Sequence, residues 1–274
     1  MATSEYTENV SSEHEILGTE EAAHESAEGG MEPISIKAEE LFHIGDFAVT
    51  NSMALGLVTS ILLITLGRLV QVHLRTIPGK LQGVAEIVFE GILSTMDPVL
   101  GDRKRSERYL PLVATIFLFV LFSNWLGLFP ITGPLKFGHH PLFRAPTSDL
   151  NFTIALAVIA VFLIHLFSAV ALGFKKHAGK FFNFSDPIHF FVGLLEVVSE
   201  FVKIVSFSFR LFGNVFAGEV LLIIVSFLAP YFVPLPFMLL EVFVGFIQAF
   251  IFAMLTTVFL AMNSEEHGGE EHAH

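Results

Sequence analysis

The stretch FSFRLFGNVFAGEVLLIIVSFLAP, residues 207–230, is apolar almost throughout, yet it carries Arg210 near its start and Glu219 further along. Such a run reads as a membrane-spanning helix, since a hydrocarbon core of about 30 Å needs about 20 residues at about 1.5 Å rise each. An ionisable side chain at that depth is costly, by several kcal/mol on insertion scales. A permanent cation and a carboxyl group held there against that cost point to function.

The surrounding chain is of the same kind. Its 274 residues are 53% hydrophobic with a mean hydropathy of +0.67, and several further apolar runs have spanning length, so this reads as an integral membrane protein. The dyad alternation of an outer-membrane barrel is missing, which leaves an all-α bundle. The net charge of −12 misleads until it is divided. Residues 1–46 carry twelve acids against Lys37, the tail 264–274 adds four more, and the body between them has fourteen Lys/Arg against eleven Asp/Glu. Acidity therefore belongs to the ends and is no sign of a nucleic-acid partner or a charged substrate. Cysteine is absent, which excludes disulfides, iron–sulfur clusters and Cys-ligated zinc. Residues 1–40 lack a basic n-region and an apolar h-region, so they read as an acidic, disordered extension and not as a signal peptide. The tail SEEHGGEEHAH, residues 264–274, reads as solvated chain before it reads as a metal site.

The membrane domain, 41–263, divides into five crossings: 47–69, 109–131, 150–173, and two long segments, 187–228 and 235–262. The last two are joined through APYFVPLP into a hairpin covering 187–263. Between the first two spans lies PGKLQGVAEIVFEGILSTMDPVLGDRKR, residues 78–105, too polar to cross. Gln82, Glu86 and Glu90 recur every fourth residue while Leu81, Val84, Val88 and Ile92 line another face, the pattern of an amphipathic helix lying on the membrane surface. Asn124-Trp125 marks an interface, and the polar loop GPLKFGHHPLFRAPTSDL follows. The connections 68–108 and 174–186 hold ten Lys/Arg; the opposite side holds Lys37, Lys136 and Arg144 alone. The basic side is the cytoplasmic one, so the N-terminus lies outside and the C-terminus inside.

In the fourth crossing the polar residues are ordered. Glu196, Ser199, Lys203, Ser206, Arg210 and Asn214 recur at steps of three or four, one stripe down a helix. At about 100° per residue Glu219 falls about 180° from Arg210, on the other side. In the fifth crossing Glu241 and Gln248 are seven apart and share a face. Helix packing or snorkelling to a headgroup would be the plain account of Arg210. It sits far from either end of its helix, however, and reaching a headgroup is difficult. His165, in the third span, reads as a packing or interhelical hydrogen-bonding residue.

RLFGNVFAGE (210–219), QAFIFAMLTTVFLAMNSEEH (248–267), NWLGLFP (124–130) and the long final pair of helices together resemble subunit a of the rotary F-type ATP synthases. The resemblance runs from about residue 40 to 267 and leaves out the acidic extension. It implies a non-catalytic, proton-translocating stator subunit in a bacterial inner membrane, needing no cofactor. Its partners would be the ring of c subunits, the b subunits of the peripheral stalk, the soluble ATPase head reached through that stalk, the translocated protons and the lipid. The surface helix offers a stalk contact. By position, Asn214, Glu219, Glu241 and Gln248 match a half-channel open to the outside; Glu196, Ser206 and Ser199 match the cytoplasmic exit. Arg210 matches the residue that separates the two and faces the ring carboxyl groups. Many relatives have a His where Glu241 stands, so here two carboxyl groups, Glu219 and Glu241, are expected to share a proton. A lone transporter would show paired repeats with broken helices, and an intramembrane metalloenzyme would need His/Glu clusters at ligand spacing; neither pattern is present in the sequence.

Overall fold

An apolar chain in a bilayer satisfies its backbone polar groups within its own helices, and helices make up the body of this protein. The computed structural model describes residues 40–44, 47–74, 79–128, 136–137, 140–141, 144–173, 187–229 and 231–265. In chain order the helices are α1 (Asn51–Val72), α2 (Lys80–Leu100), α3 (Arg103–Leu128), α4 (Leu150–Leu172), α5 (Pro187–Leu228) and α6 (Pro234–Glu265). Five of them, all but α2, are long and apolar enough to cross a membrane. Almost all of the acidic extension and of the tail, together with the basic stretch KKHAGK at 175–180 that follows the third span, lies outside the described residues.

Two small antiparallel ladders accompany the helices: β1 (Glu40–Ile44) with β2 (Phe47–Thr50), and β3 (Lys136–Phe137) with β4 (His140–Pro141). They lie outside the spans and leave the all-α membrane body as expected. The first of them moves a boundary, because Phe47–Thr50 pairs as a strand and α1 starts four residues later than the apolar run suggests. Thr50 then caps the helix, its Oγ1 accepting from the Met53 amide at 3.4 Å. At α3 the shift is the other way. The basic run from Arg103 is already helical, in keeping with the good helix propensity of Arg, Lys and Glu.

The amphipathic helix α2 buries Leu93, Met96 and Leu100, and packs Val88 and Ile92 against the same core, while Leu81 and Val84 of its first turns stay exposed. Gly101, at φ 72°, turns the chain from α2 into α3. Across that turn Arg103 reaches Glu90 at 2.7 Å, Asp97 at 3.0 Å and Glu107 at 3.4 Å. Hydrogen bonding from the Ser106 hydroxyl and from Arg103 holds the Asp97 carboxyl below the ordinary carboxylate range.

The core runs along α3, where Val113 and Val120 are fully buried, and continues into α4, α5 and α6. Small residues mark the helix contacts: Ala157 and Ala160 on α4, Ala249 and Ala253 on α6, all buried. Phe207 of α5 stacks on Phe252 of α6 with ring centroids 4.6 Å apart. The opposite side of α5 presents Phe190, Phe201, Phe209 and Phe227 outward, the apolar surface that lipid or a membrane partner requires. α5 thus has one packed face, one apolar outer face, and an edge between them.

Candidate functional site

The packed face of α5 is set by Phe207, Leu211, Val215 and Gly218, all buried. Helical geometry then puts Arg210 on the border of the outer arc. Ser199, Ser206 and Arg210 are exposed, and Glu196 and Asn214 are half-buried along the same edge. The Arg210 Nη2 donates to the Ser206 Oγ at 3.3 Å, one turn away. Among the described residues no carboxylate lies within ion-pair distance of this guanidinium, and charge at an outward-facing edge calls for an acid from elsewhere.

One member of the expected stripe behaves differently. Lys203 turns inward, its Nζ 2.6 Å from Glu200 Oε1 and 4.7 Å above the centre of the Phe259 ring. The other oxygen of Glu200 is 2.9 Å from the Nε2 of His165 on α4. His165 is therefore an interhelical hydrogen-bonding residue, as its position in an otherwise apolar span suggests. Sequence reasoning passes over Glu200, which stands beside the stripe and not in it. Its three-residue spacing from Lys203 is the signal that could have found it.

A second cluster forms about nine residues, or about 13.5 Å, further along α5 from Arg210. Glu219 points away from the outer edge and meets Arg144, the Arg144 Nε lying 3.3 Å from Glu219 Oε1, and Nη2 donating to Oε2 at 3.3 Å. Arg144 Nε also donates to the Ser148 Oγ at 3.1 Å, and its side chain is only 9% exposed, so this is an anchored ion pair. Glu241 comes from α6 and fills the space over Gly218, where a methyl group would overlap its carboxyl. It lies within electrostatic reach of Glu219. The pair of carboxyl groups expected to share a proton is thus accompanied by a guanidinium, which contacts Glu219. In the sequence Arg144 is one charge in a polar loop, and nothing in its neighbours announces a partner 75 residues away.

Gln248, two turns beyond Glu241 on α6, is buried, and its Nε2 has no protein acceptor among the described residues. Nearby, buried Asn124 bridges two elements. Its Oδ1 accepts from Thr147 Oγ1 at 2.7 Å and its Nδ2 donates to the Gly245 carbonyl at 3.1 Å. The neighbouring Trp125 Nε1 donates to the Val242 carbonyl at 3.0 Å. These bonds fix α6, and with it Glu241 and Gln248, against the end of α3. Chemically, the arrangement offers protonatable or hydrogen-bonding groups on both sides of an exposed guanidinium, which itself cannot take part in proton exchange. Among the described residues no group of three or more His, Asp or Glu is disposed to hold a metal ion.

Comparison with known proteins identifies a family for the membrane domain. The ATP synthase A chain family matches residues 51–261. An ATP synthase subunit a from Campylobacter jejuni subsp. doylei is 39% identical over 191 residues, covering 69% of this chain and 78% of that protein. One from Trichlorobacter lovleyi is 35% identical over 237 residues, covering 85% and 95% respectively. A third, from Syntrophobacter fumaroxidans, is 34% identical over 241 residues, covering 86% and 91%.

Proposed function

The chain belongs to the ATP synthase A chain family, and on that premise we propose that it is the proton-translocating stator subunit of a rotary ATP synthase, with Arg210 as the barrier between two half-channels. The observation that carries this is the guanidinium itself: exposed at the edge of a spanning helix, bonded to Ser206, and without an acid of its own among the described residues. Its acid would come from the ring of c subunits, one carboxyl group at a time.

Arginine suits that task because it stays charged at any working pH, whereas a lysine in the same surroundings readily gives up its proton. A cation within ~4–6 Å favours the ionised form of a passing carboxyl group, so the proton leaves on the inner side. Glu196, Ser199 and Ser206 line the route by which it would depart. On the outer side Glu219, Glu241, Asn214 and Gln248 would deliver the next proton, Arg144 holding Glu219 in place. The buried, unmatched amide of Gln248 supports a path that admits water there. A proton crossing the membrane potential delivers about 2.3 kcal/mol per 100 mV, and the stator converts it into rotation because the charge cannot pass Arg210 directly.

The partners follow from the same reading: the ring at the Arg210 edge, the b subunits of the peripheral stalk on α2, and through them the soluble head that makes ATP. The basic connections would face the cytoplasm of a bacterial cell and the α5–α6 turn the outside. The test is Arg210→Ala in inverted membrane vesicles. ATP-driven proton pumping and ATP synthesis should both be lost while the detached head still hydrolyses ATP. Normal pumping would remove the proposal.

A further inference from the structure

The reading above needs one available cation on the exposed edge of α5, yet two cations belong to that edge. Lys203 precedes Arg210 by seven residues, which on an ideal helix places it about 20° away and about 10.5 Å along the axis. A lysine at such a position commonly extends its stem along the apolar surface towards the wetter side. Here it does the opposite, turning inward to Glu200 at 2.6 Å and over the ring of Phe259, with its side chain 17% exposed.

We propose that Glu200 is a charge-masking positioning residue: by holding and neutralising Lys203 it leaves Arg210 as the cation offered to passing ring carboxylates. The inference rests on the stator function proposed above. An unmasked ammonium between Glu196 and Ser206 would act in two harmful ways. It would add to the field of Arg210 and tighten its hold on a deprotonated carboxylate, and it would repel a proton leaving by the inner route. Three contacts prevent this. Glu200 supplies the countercharge, His165 of α4 occupies its other oxygen at 2.9 Å and so aims Oε1 at Lys203, and Phe259 of α6 receives the ammonium on its face. The cluster touches α4, α5 and α6, and helix glue is the rival account of it; glue predicts that an unpaired Lys203 costs assembly, whereas masking predicts pumping lost in a subunit that still assembles and regained when Lys203 is removed as well.

The experiment uses inverted vesicles carrying the whole complex, with the assembled stator quantified by immunoblot. Glu200→Gln should lower ATP-driven proton pumping about tenfold at an unchanged level of assembly, and adding Lys203→Gln should bring pumping back to within about twofold of the parent. Parent-like pumping in Glu200→Gln, or no recovery in the double variant, overturns the masking role. If Glu200→Gln leaves no assembled subunit, the cluster serves helix packing and the proposal falls, since restored assembly in the double variant would show only that a buried ammonium had lost its countercharge. Arg210→Ala is run alongside. If that variant pumps, the stator reading itself fails; if it is silent while Glu200→Gln pumps normally, only the masking falls.

Discussion

Gly218 carries no side chain, and the Glu241 carboxyl occupies the volume that one would take. This close approach lets an acid on α6 lie beside Glu219 on α5 without prising the helices apart. A methyl group at 218 must displace that carboxyl, and overpacking of this kind typically costs about 1–3 kcal/mol. Gly218→Ala should therefore slow ATP-driven pumping severalfold while ATP hydrolysis by the detached head is untouched; pumping at the parent rate would show that the position of Glu241 is immaterial. The single residues differ in how much of this the sequence discloses. Arg210 stands out because a permanent cation in a long apolar run needs a reason. Arg144 and Glu200 do not. Arg144 lies in a polar loop where charge is ordinary, and Glu200 sits among residues whose stripe runs along the neighbouring edge. Their partners are set by tertiary contacts that no local pattern encodes.

At the scale of elements, α5 is the informative one. Its 42 residues reach about 63 Å at about 1.5 Å each, too long for an upright crossing, so it must lie strongly tilted or partly in the interface. Its limits, 187–228, could be read from the sequence because a polar loop and a proline bound it on each side. The start of α4 shows how a helix in this bundle is pinned. Asp149, only 5% exposed, caps it by accepting from the Asn151 amide at 2.9 Å, and its other oxygen accepts from Ser52 of α1 at 2.6 Å. Loss of such a cap costs about 0.5–2 kcal/mol, and a buried hydroxyl left without its acceptor costs about 1–3 kcal/mol more. Asp149→Ala should lower the thermal unfolding midpoint of the detergent-solubilised complex and reduce the amount of subunit in the membrane, with Asp149→Asn milder. An unchanged midpoint would mean that the cap and the α1 contact contribute nothing. The capping acid had no prominence in the sequence, since TSDL reads as the end of a loop; the helix it starts was plain from the apolar run behind it. Where boundaries shifted, at α1 and α3, a short strand and a basic helical turn competed with hydropathy and won.

For the whole molecule, five crossings follow from five apolar helices, but which end faces which compartment follows from charge alone. Ten Lys/Arg lie in the connections 68–108 and 174–186, and three stand on the other side. Positive loops resist translocation, so the orientation we propose sets α2 on the cytoplasmic face and the α5–α6 turn outside. This orientation is also the one that the proposed proton path requires, because Glu219 and Glu241 would then lie towards the source of protons and Glu196 towards the sink. The chain has no cysteine, so single cysteines can be introduced without removing any. Tyr231, 85% exposed in the α5–α6 turn, and Ser94, exposed on α2, are suitable reporters. A membrane-impermeant maleimide should label Tyr231→Cys in right-side-out vesicles and Ser94→Cys in inverted ones. The reverse pattern would turn the molecule over. It would exchange the two proposed half-channels and place Glu241 at the exit.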